Sequence, residues 1–288
     1  MSSTKEKVNK RIIFVNSFKG GAGKTTLSMT HCFDSMFNTK EHENVIYLDL
    51  DIQGTATSYL FAEGTLPDEE NFIKTGRVKK VNINNGKTEK EFYVGYLSPD
   101  LKNNAMYGEA LFLNHPELAE EMLIQSMIKF IDEQMKKDIS TLLVLDCAPG
   151  FSNVEQKILR HCYELVGTEG VKIEDEYLVT LDHAHVKKCL QCLKENKRDM
   201  DIIERTTKIV INDMHNYREF LRVNGEDGET VIKDIVKKMR EEAEDEKLPI
   251  WFWKYSHKIS SSSVYSRRIS IENQVADYLF TKDNYTEQ

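Results

Sequence analysis

The sequence predicts an α/β protein whose doubly wound, mainly parallel sheet carries helices on both faces. Three observations support this fold class. Short apolar runs recur along the chain, amphipathic helical patterns separate many of them, and several of the runs end in glycine-rich or acidic residues. Because open parallel sheets bind their ligands at the carboxyl ends of the strands, the same pattern predicts a binding site there.

The length and composition of the chain are typical of a globular protein. The chain has 288 residues, 40% of them hydrophobic and 30% charged, as in ordinary globular proteins. We predict one domain over residues 1–288, with residues 62–115 as a hairpin or loop insertion. Five scattered cysteines favour a reducing compartment, and the chain shows neither an apolar run long enough to span a bilayer nor a signal peptide. We therefore expect a cytoplasmic protein with no membrane partner.

The first predicted strand, residues 12–15, leads into the loop KGGAGKTT at residues 19–26. Its glycines allow the backbone N–H groups to curl around phosphate oxygens, and the helix that follows adds the positive end of its dipole. Lys24 then bridges the β- and γ-phosphates, and the Thr25 hydroxyl takes one Mg²⁺ coordination site. The predicted nucleotide-binding residues of this loop are Lys19, Gly20, Gly21, Ala22, Gly23, Lys24, Thr25 and Thr26.

The loop departs from the general pattern GxxxxGK[ST], because Phe18 stands where the first glycine belongs. It resembles instead the deviant Walker A loop of the ParA/MinD family of dimeric ATPases, KGGxGKTT, at every fixed position. The resemblance implies slow Mg²⁺-dependent hydrolysis of ATP held between the subunits of a homodimer. It also implies that Lys19 reaches across the interface to the partner's nucleotide, and that Lys19, Lys24 and Asp51 are the catalytic residues.

The second predicted strand ends in Asp49-Leu50-Asp51, followed by IQGTAT at residues 52–57. This segment resembles the family's switch I motif, DxDPQGNAT, with Ile52 in place of proline and Thr55 in place of asparagine. The resemblance implies that Asp51 orients or polarises the attacking water and that Asp49 supports the magnesium side of the site. The alternative for either aspartate is a helix cap, which strand-end aspartates often form.

A third apolar run, residues 141–145, ends in Asp146 and matches a Walker B strand, whose carboxylate holds Mg²⁺ through a water. The family usually continues DxPP, whereas here Ala148 replaces the first proline and Pro149 keeps the second. We predict that switch II starts at residues 149–150. The predicted metal-side residues are Thr25, Asp49 and Asp146.

The remaining elements cover the sheet. Residues 78–97 predict a β-hairpin around an Asn-Gly turn, which is either decorative or a partner-specific insertion. Further strands are predicted at 176–181, 208–213 and 248–253, and helices at 27–37, 116–137, 182–196 and 229–246. Asn212, at a strand end, is predicted to contact an adenine edge, with turn capping as the alternative. Cys189 and Cys192 form a CxxC, which packs in a helix or, as in Mrp-type relatives, carries an iron–sulfur cluster.

The motifs DLDxQGTAT and DCAPG look closer to the ParA branch of the family, which segregates plasmids or chromosomes. This resemblance implies that the ATP dimer binds DNA non-specifically and associates with the nucleoid. It also implies a ParB-like partner that stimulates hydrolysis. A net charge of −8 leaves room only for a local basic face, which we place around Lys258, Arg267 and Arg268, with a solvated helix start near the nucleotide as the alternative. We expect no N-terminal helix-turn-helix. An ATPase that positions a protein cargo is the alternative, whereas the acidic, short tail at 275–288 disfavours a MinD-like membrane cycle.

Overall fold

The computed structural model describes residues 8–51, 72–84, 88–97, 113–150, 153–180, 183–199, 206–212 and 228–252. The strands in this part of the chain are β1 (Lys10–Asn16), β2 (Asn44–Asp49), β3 (Lys79–Asn84), β4 (Glu89–Tyr96), β5 (Thr141–Asp146), β6 (Lys172–Thr180), β7 (Thr206–Asn212) and β8 (Ile250–Phe252). The helices are α1 (Lys24–Phe33), which a π-helical segment (Asp34–Thr39) continues, α2 (Phe72–Thr75), α3 (Pro116–Met135), α4 (Asn153–Glu169), α5 (His183–Asp199) and α6 (Gly228–Ala243).

The described strands form one sheet in the order β3-β4-β2-β5-β1-β6-β7-β8. All neighbours are parallel except β3 and β4, which confirms the predicted mainly parallel α/β fold. β1 lies between β5 and β6, and the chain builds outward from it in both directions. The carboxyl end of β1 is therefore a topological switch point, where open α/β sheets bind ligands.

Apolar side chains on the two faces of the sheet form separate cores, as expected for strands covered on both sides. On one face, α1 packs over alternate residues of the central strands, such as Ile13, Val15 and Val144. On the other face, Ile12 and Leu143 belong to the core beneath α3 and α4. The helices α5 and α6 extend that second layer over β6, β7 and β8.

The predicted hairpin is present and is part of the main sheet. β3 and β4 pair antiparallel, with Val81 opposite Phe92, and β4 then pairs parallel with β2. Gly95 of β4 permits a close approach, because a Cβ atom there would lie 2.4 Å from the Leu48 side chain. Residues 85–87 of the predicted turn lie outside the described residues.

β6 starts four residues earlier than predicted, at Lys172, and buries two acidic side chains on the α1 face. Arg11 Nε lies 2.6 Å from Glu174 Oε1, and Lys208 Nζ lies 3.1 Å from Glu174 and 2.6 Å from Glu176. His31 Nε2 of α1 lies 2.8 Å from the second oxygen of Glu176. Basic side chains on three neighbouring elements thus allow an acidic segment to continue as a buried strand.

Candidate active site

The loop predicted to bind phosphate joins the carboxyl end of β1 to the start of α1. Gly21 and Gly23 have φ values of +74° and +101°, a left-handed conformation that favours glycine. Gly23 precedes α1 and supplies no side-chain cap, so the first N–H groups of the helix have no side-chain acceptor at that position. This geometry suits an anion such as a nucleotide phosphate.

The two lysines of the loop lie in different environments. Lys24, the first residue of α1, is only 6% exposed, whereas Lys19 is exposed. The Lys24 ammonium is close enough to Asp146 to lower the pKa of that carboxyl. Lys24 is thus buried beside Asp146, and Lys19 lies at the surface.

The predicted acidic residues meet at the ends of β2 and β5. Asp49 and Asp146 are opposite each other in the strand register, and both are buried. The backbone N–H of Asp51 donates to Asp49 Oδ1 at 3.3 Å, which makes Asp49 a cap of the turn after β2. Asp51 itself is half-buried, and its charge raises the pKa of Asp146.

Asp146 shows how the site fits a magnesium ion. The Tyr47 hydroxyl donates to its Oδ2 atom at 2.7 Å, whereas its Oδ1 atom is buried without a hydrogen bond of good geometry from the described residues. Burial raises the pKa of Asp146 to about 6, although Tyr47, Lys24 and the Thr25 hydroxyl lower it. A buried carboxylate oxygen beside a threonine hydroxyl matches the hard oxygen ligands that Mg²⁺ requires.

Asn212, at the end of β7, lies against the phosphate loop. Its Nδ2 atom donates to the Ala22 carbonyl oxygen at 2.8 Å. The structure therefore shows Asn212 holding the loop, and its predicted contact with adenine stays a prediction.

Sequence reasoning missed three residues around these groups: Tyr47, Ser17 and His185. Tyr47 lies in an apolar strand, where only the lone hydroxyl marked it. Ser17 Oγ lies 3.2 Å from Nε2 of His185, which is buried in the first turn of α5. The Gly150 N–H also donates to the Ser17 carbonyl oxygen at 2.8 Å, so the predicted start of switch II is tied to the loop.

The other predicted sites are the CxxC pair, the switch I segment at residues 52–57 and the basic face. The first lies in α5, and the other two lie outside the described residues. Cys189 is buried in the core beneath α5 and α6, where burial raises the pKa of its thiol well above the ordinary value. In the described ranges, no three histidine, cysteine or acidic side chains gather as a metal cage. None of the helices in the described part combines the length and apolar character needed to cross a membrane. Residues 52–57 of switch I, and Lys258, Arg267 and Arg268, lie outside the described residues.

Comparison with known proteins identifies relatives of this arrangement. Residues 13–251 match the model of the CobQ/CobB/MinD/ParA nucleotide binding domain family. The search of curated proteins finds no match to the sequence.

Three solved structures share the fold. The MinC:MinD cell division complex of Aquifex aeolicus matches at a TM-score of 0.55 and 13% identity, covering 90% of this chain and 86% of that chain. A Borrelia burgdorferi protein described as a plasmid partition protein, bound to AMPPNP, matches at 0.51 and 14%, covering 94% and 98%. The ATP complex of a McdA variant from Cyanothece matches at 0.50 and 11%, covering 95% and 98%. At these identities the likeness shows the fold.

Proposed function

The chain belongs to the CobQ/CobB/MinD/ParA nucleotide-binding domain family, and on that premise we propose that it is a ParA-like ATPase that dimerises around Mg-ATP and hydrolyses it slowly. The observation that carries the proposal is the contrast between the two loop lysines. Lys24 is buried beside Asp146, whereas Lys19 is exposed at the surface. A buried lysine suits the phosphates of its own subunit, and an exposed one suits those of a second subunit.

The remaining residues have distinct roles in this proposal. The loop N–H groups and the start of α1 bind the phosphates, while Thr25 and Asp146 hold Mg²⁺, with Asp49 supporting them by fixing the turn that carries Asp51. Mg²⁺, when bound, neutralises charge on the phosphate oxygens. Asp51 orients the attacking water from its half-buried position, which is a sufficient protein contribution because phosphoryl transfer depends mainly on positioning and electrostatics.

We propose DNA partition as the purpose of the ATPase. The ATP dimer would bind DNA non-specifically, associate with the nucleoid, and lose its nucleotide when a ParB-like partner stimulates hydrolysis. Support comes from the ParA-like motifs DLDxQGTAT and DCAPG and from the Borrelia protein described as a plasmid partition protein. The MinC:MinD cell division complex also shares the fold, so an ATPase that positions a protein cargo is the second possibility, which the experiment must distinguish from DNA partition.

The test measures binding of the Asp51→Ala variant to non-specific duplex DNA, with ATP or with ADP, across a salt series. ATP-dependent binding that weakens steeply with salt is expected, because each neutralised phosphate adds to the slope. Lys24→Ala is the control and should show no difference between ATP and ADP. If the ATP dimer forms but does not bind DNA at low salt, the result would favour an ATPase that positions a protein cargo. If the protein binds no ATP, the ATPase proposal is wrong.

A further inference from the structure

The two residues before Lys19 are both held by side chains from β6 and α5. Ser17 is buried against His185 of α5, with 3.2 Å between Ser17 Oγ and His185 Nε2. The Phe18 ring stacks on Tyr177 of β6, with 6.2 Å between the ring centroids and 14° between the planes. Lys188 of α5 places its ammonium 5.5 Å from the centre of the Phe18 ring. The chain becomes exposed only at Lys19.

The direction of the hydrogen bonds follows from the chemistry of the backbone. The Thr180 N–H, which can only donate, lies 3.2 Å from His185 Nδ1. Nδ1 is therefore the acceptor, and the neutral ring carries its hydrogen on Nε2, from which it donates to Ser17 Oγ. Ser17 Oγ in turn accepts from the Lys19 N–H at 3.4 Å and donates to the Lys19 carbonyl oxygen at 3.3 Å. The chain of hydrogen bonds runs from β6 through His185 to the Lys19 backbone.

Ser17 is also the point where a third segment joins. Its carbonyl oxygen accepts the Gly150 N–H at 2.8 Å, and Gly150 has a φ of +92°. The segment after β5 and the start of α5 therefore meet at the residue two positions before Lys19. On the other side of Lys19 lie Gly20 and Gly21, both exposed, which provide little side-chain packing to fix the lysine.

We propose that His185 is a positioning residue which, through Ser17, sets the place from which Lys19 reaches the partner subunit's nucleotide. The proposal rests on the proposed function, since Lys19 acts across an interface only in an ATP dimer. The hydrogen bonds described for His185 join it to Ser17 and Thr180, on the side of the loop that leads to Lys19. Loss of the His185 side chain should therefore leave nucleotide binding intact and impair the step that needs Lys19. A displacement of the Lys19 ammonium by about 1 Å can lower the rate about a hundredfold.

The experiment compares His185→Ala, Ser17→Ala and the double variant with wild-type protein. For each we measure the affinity for a fluorescent ATP analogue, the ATP-dependent dimer by light scattering, and the hydrolysis rate. We expect analogue affinity within about threefold of wild type and dimer formation and hydrolysis lower by about tenfold, a change of about 1.4 kcal/mol. The double variant should be no worse than either single variant, because both remove the same contact.

Two further variants separate positioning from stability. His185→Gln keeps an N–H group that can reach Ser17 and should recover part of the dimer. Ser35→Ala removes the other buried Ser–His hydrogen bond of the described chain, 2.9 Å from Ser35 Oγ to His42 Nδ1, beyond α1 and away from the loop. It should lower the melting temperature without changing dimer formation.

The results for wild-type protein and for the His185 and Ser17 variants show separately whether the positioning role or the ATPase proposal is wrong. If wild-type protein dimerises with ATP and both single variants match it, the positioning role is wrong and the ATPase proposal stands. Equal losses of analogue affinity and dimer formation would also overturn the inference, because they indicate a general structural role. A wild-type protein that binds ATP and stays monomeric would overturn the proposed function and this inference with it. If His185→Ala does not fold, Ser17→Ala gives the same decision.

Discussion

The side-chain amide of Asn212 donates a hydrogen bond to the Ala22 carbonyl oxygen, with 2.8 Å between Nδ2 and the oxygen. The two residues are 190 positions apart in the chain. The contact joins the end of β7 to the phosphate loop after β1, with β6 between the two strands. The loop is therefore positioned partly by a strand that carries no part of it.

Asn212→Ala should weaken ATP binding by about two- to tenfold, because the net worth of such a hydrogen bond is about 0.5–1.5 kcal/mol. Affinity for GTP should fall by the same factor if Asn212 acts by holding the loop. Titration of both nucleotides checks this, and a loss confined to ATP would show that Asn212 contacts the adenine. The matched control is Asn44→Ala. The Nδ2 atom of Asn44 donates to Thr141 at the amino ends of β2 and β5, away from the phosphate loop.

Asp51→Ala should bind ATP and hydrolyse it about a hundredfold more slowly, the usual effect of removing a positioned catalytic carboxylate. The dimer should then accumulate in ATP, which light scattering would detect. Asp51→Asn preserves the shape of the side chain and removes its charge, so it should behave in the same way. Hydrolysis at the wild-type rate in Asp51→Ala would show that the switch I assignment is wrong.

The two loop lysines should fail in different ways. Lys24→Ala should lose most ATP affinity, because charge-assisted hydrogen bonds to phosphate are worth about 1.5–3 kcal/mol each. Lys19→Ala should keep ATP affinity within about threefold, less than a kcal/mol, and lose hydrolysis. Direct nucleotide titration and a phosphate-release assay separate the two effects.

A mixture of the two inactive variants tests whether Lys19 acts in trans. In a mixed dimer, the Lys19→Ala subunit holds ATP and the Lys24→Ala subunit still supplies Lys19. Recovery of hydrolysis on mixing is expected, since one of the two sites is then complete. No recovery, with mixed dimers detected, would place Lys19 in its own subunit's site.

The sequence allowed good prediction of where a residue lies when its neighbours in the chain define its place in the fold. Lys24 follows its own loop, and Asp146 ends its own strand, so local pattern was enough to place both. The helix α4 was missed although Val154, Ile158 and Leu165 follow helical spacing and are buried.

Contacts between distant strands could not be predicted in this way. The bond of Asn212 to Ala22 depends on the order of β1, β6 and β7, which single-strand patterns do not specify. The early start of β6 was missed for the same reason, because Glu174 and Glu176 indicate an exposed segment until their buried cationic neighbours are known.

Tyr47→Phe should weaken the apparent Mg²⁺ affinity of the ATP-bound protein by about ten- to a hundredfold, because it removes a hydrogen bond to a charged group worth about 1.5–3 kcal/mol. The hydroxyl lowers the pKa of Asp146, so its loss favours the protonated acid, which does not bind Mg²⁺. Isothermal titration with Mg²⁺ at fixed ATP measures the change. Tyr93→Phe, which lies opposite Ile46 in the neighbouring strand β4, is the control, and equal effects of both variants would contradict a specific role for Tyr47.

Lys208→Met should destabilise the fold by about 3–5 kcal/mol at pH 7, because it leaves buried carboxylates without one of their cations. Burial alone would raise the pKa of Glu176, but His31 and Lys208 lower it to about 2. A lowered folded pKa contributes stability that is present above the unfolded value of about 4.3 and is lost as pH falls toward 2. The stability difference between wild type and variant should therefore be constant near neutral pH and shrink below about pH 4.5, when protonation relieves the unpaired charges of the variant.

Urea unfolding of both proteins between pH 7 and pH 3 measures this stability difference, with Lys238→Met, an exposed lysine of α6, as the control. A difference that stays constant to pH 3 would assign the destabilisation to lost packing, including the contact of Lys208 with the Trp251 ring 4.0 Å away, rather than to charge.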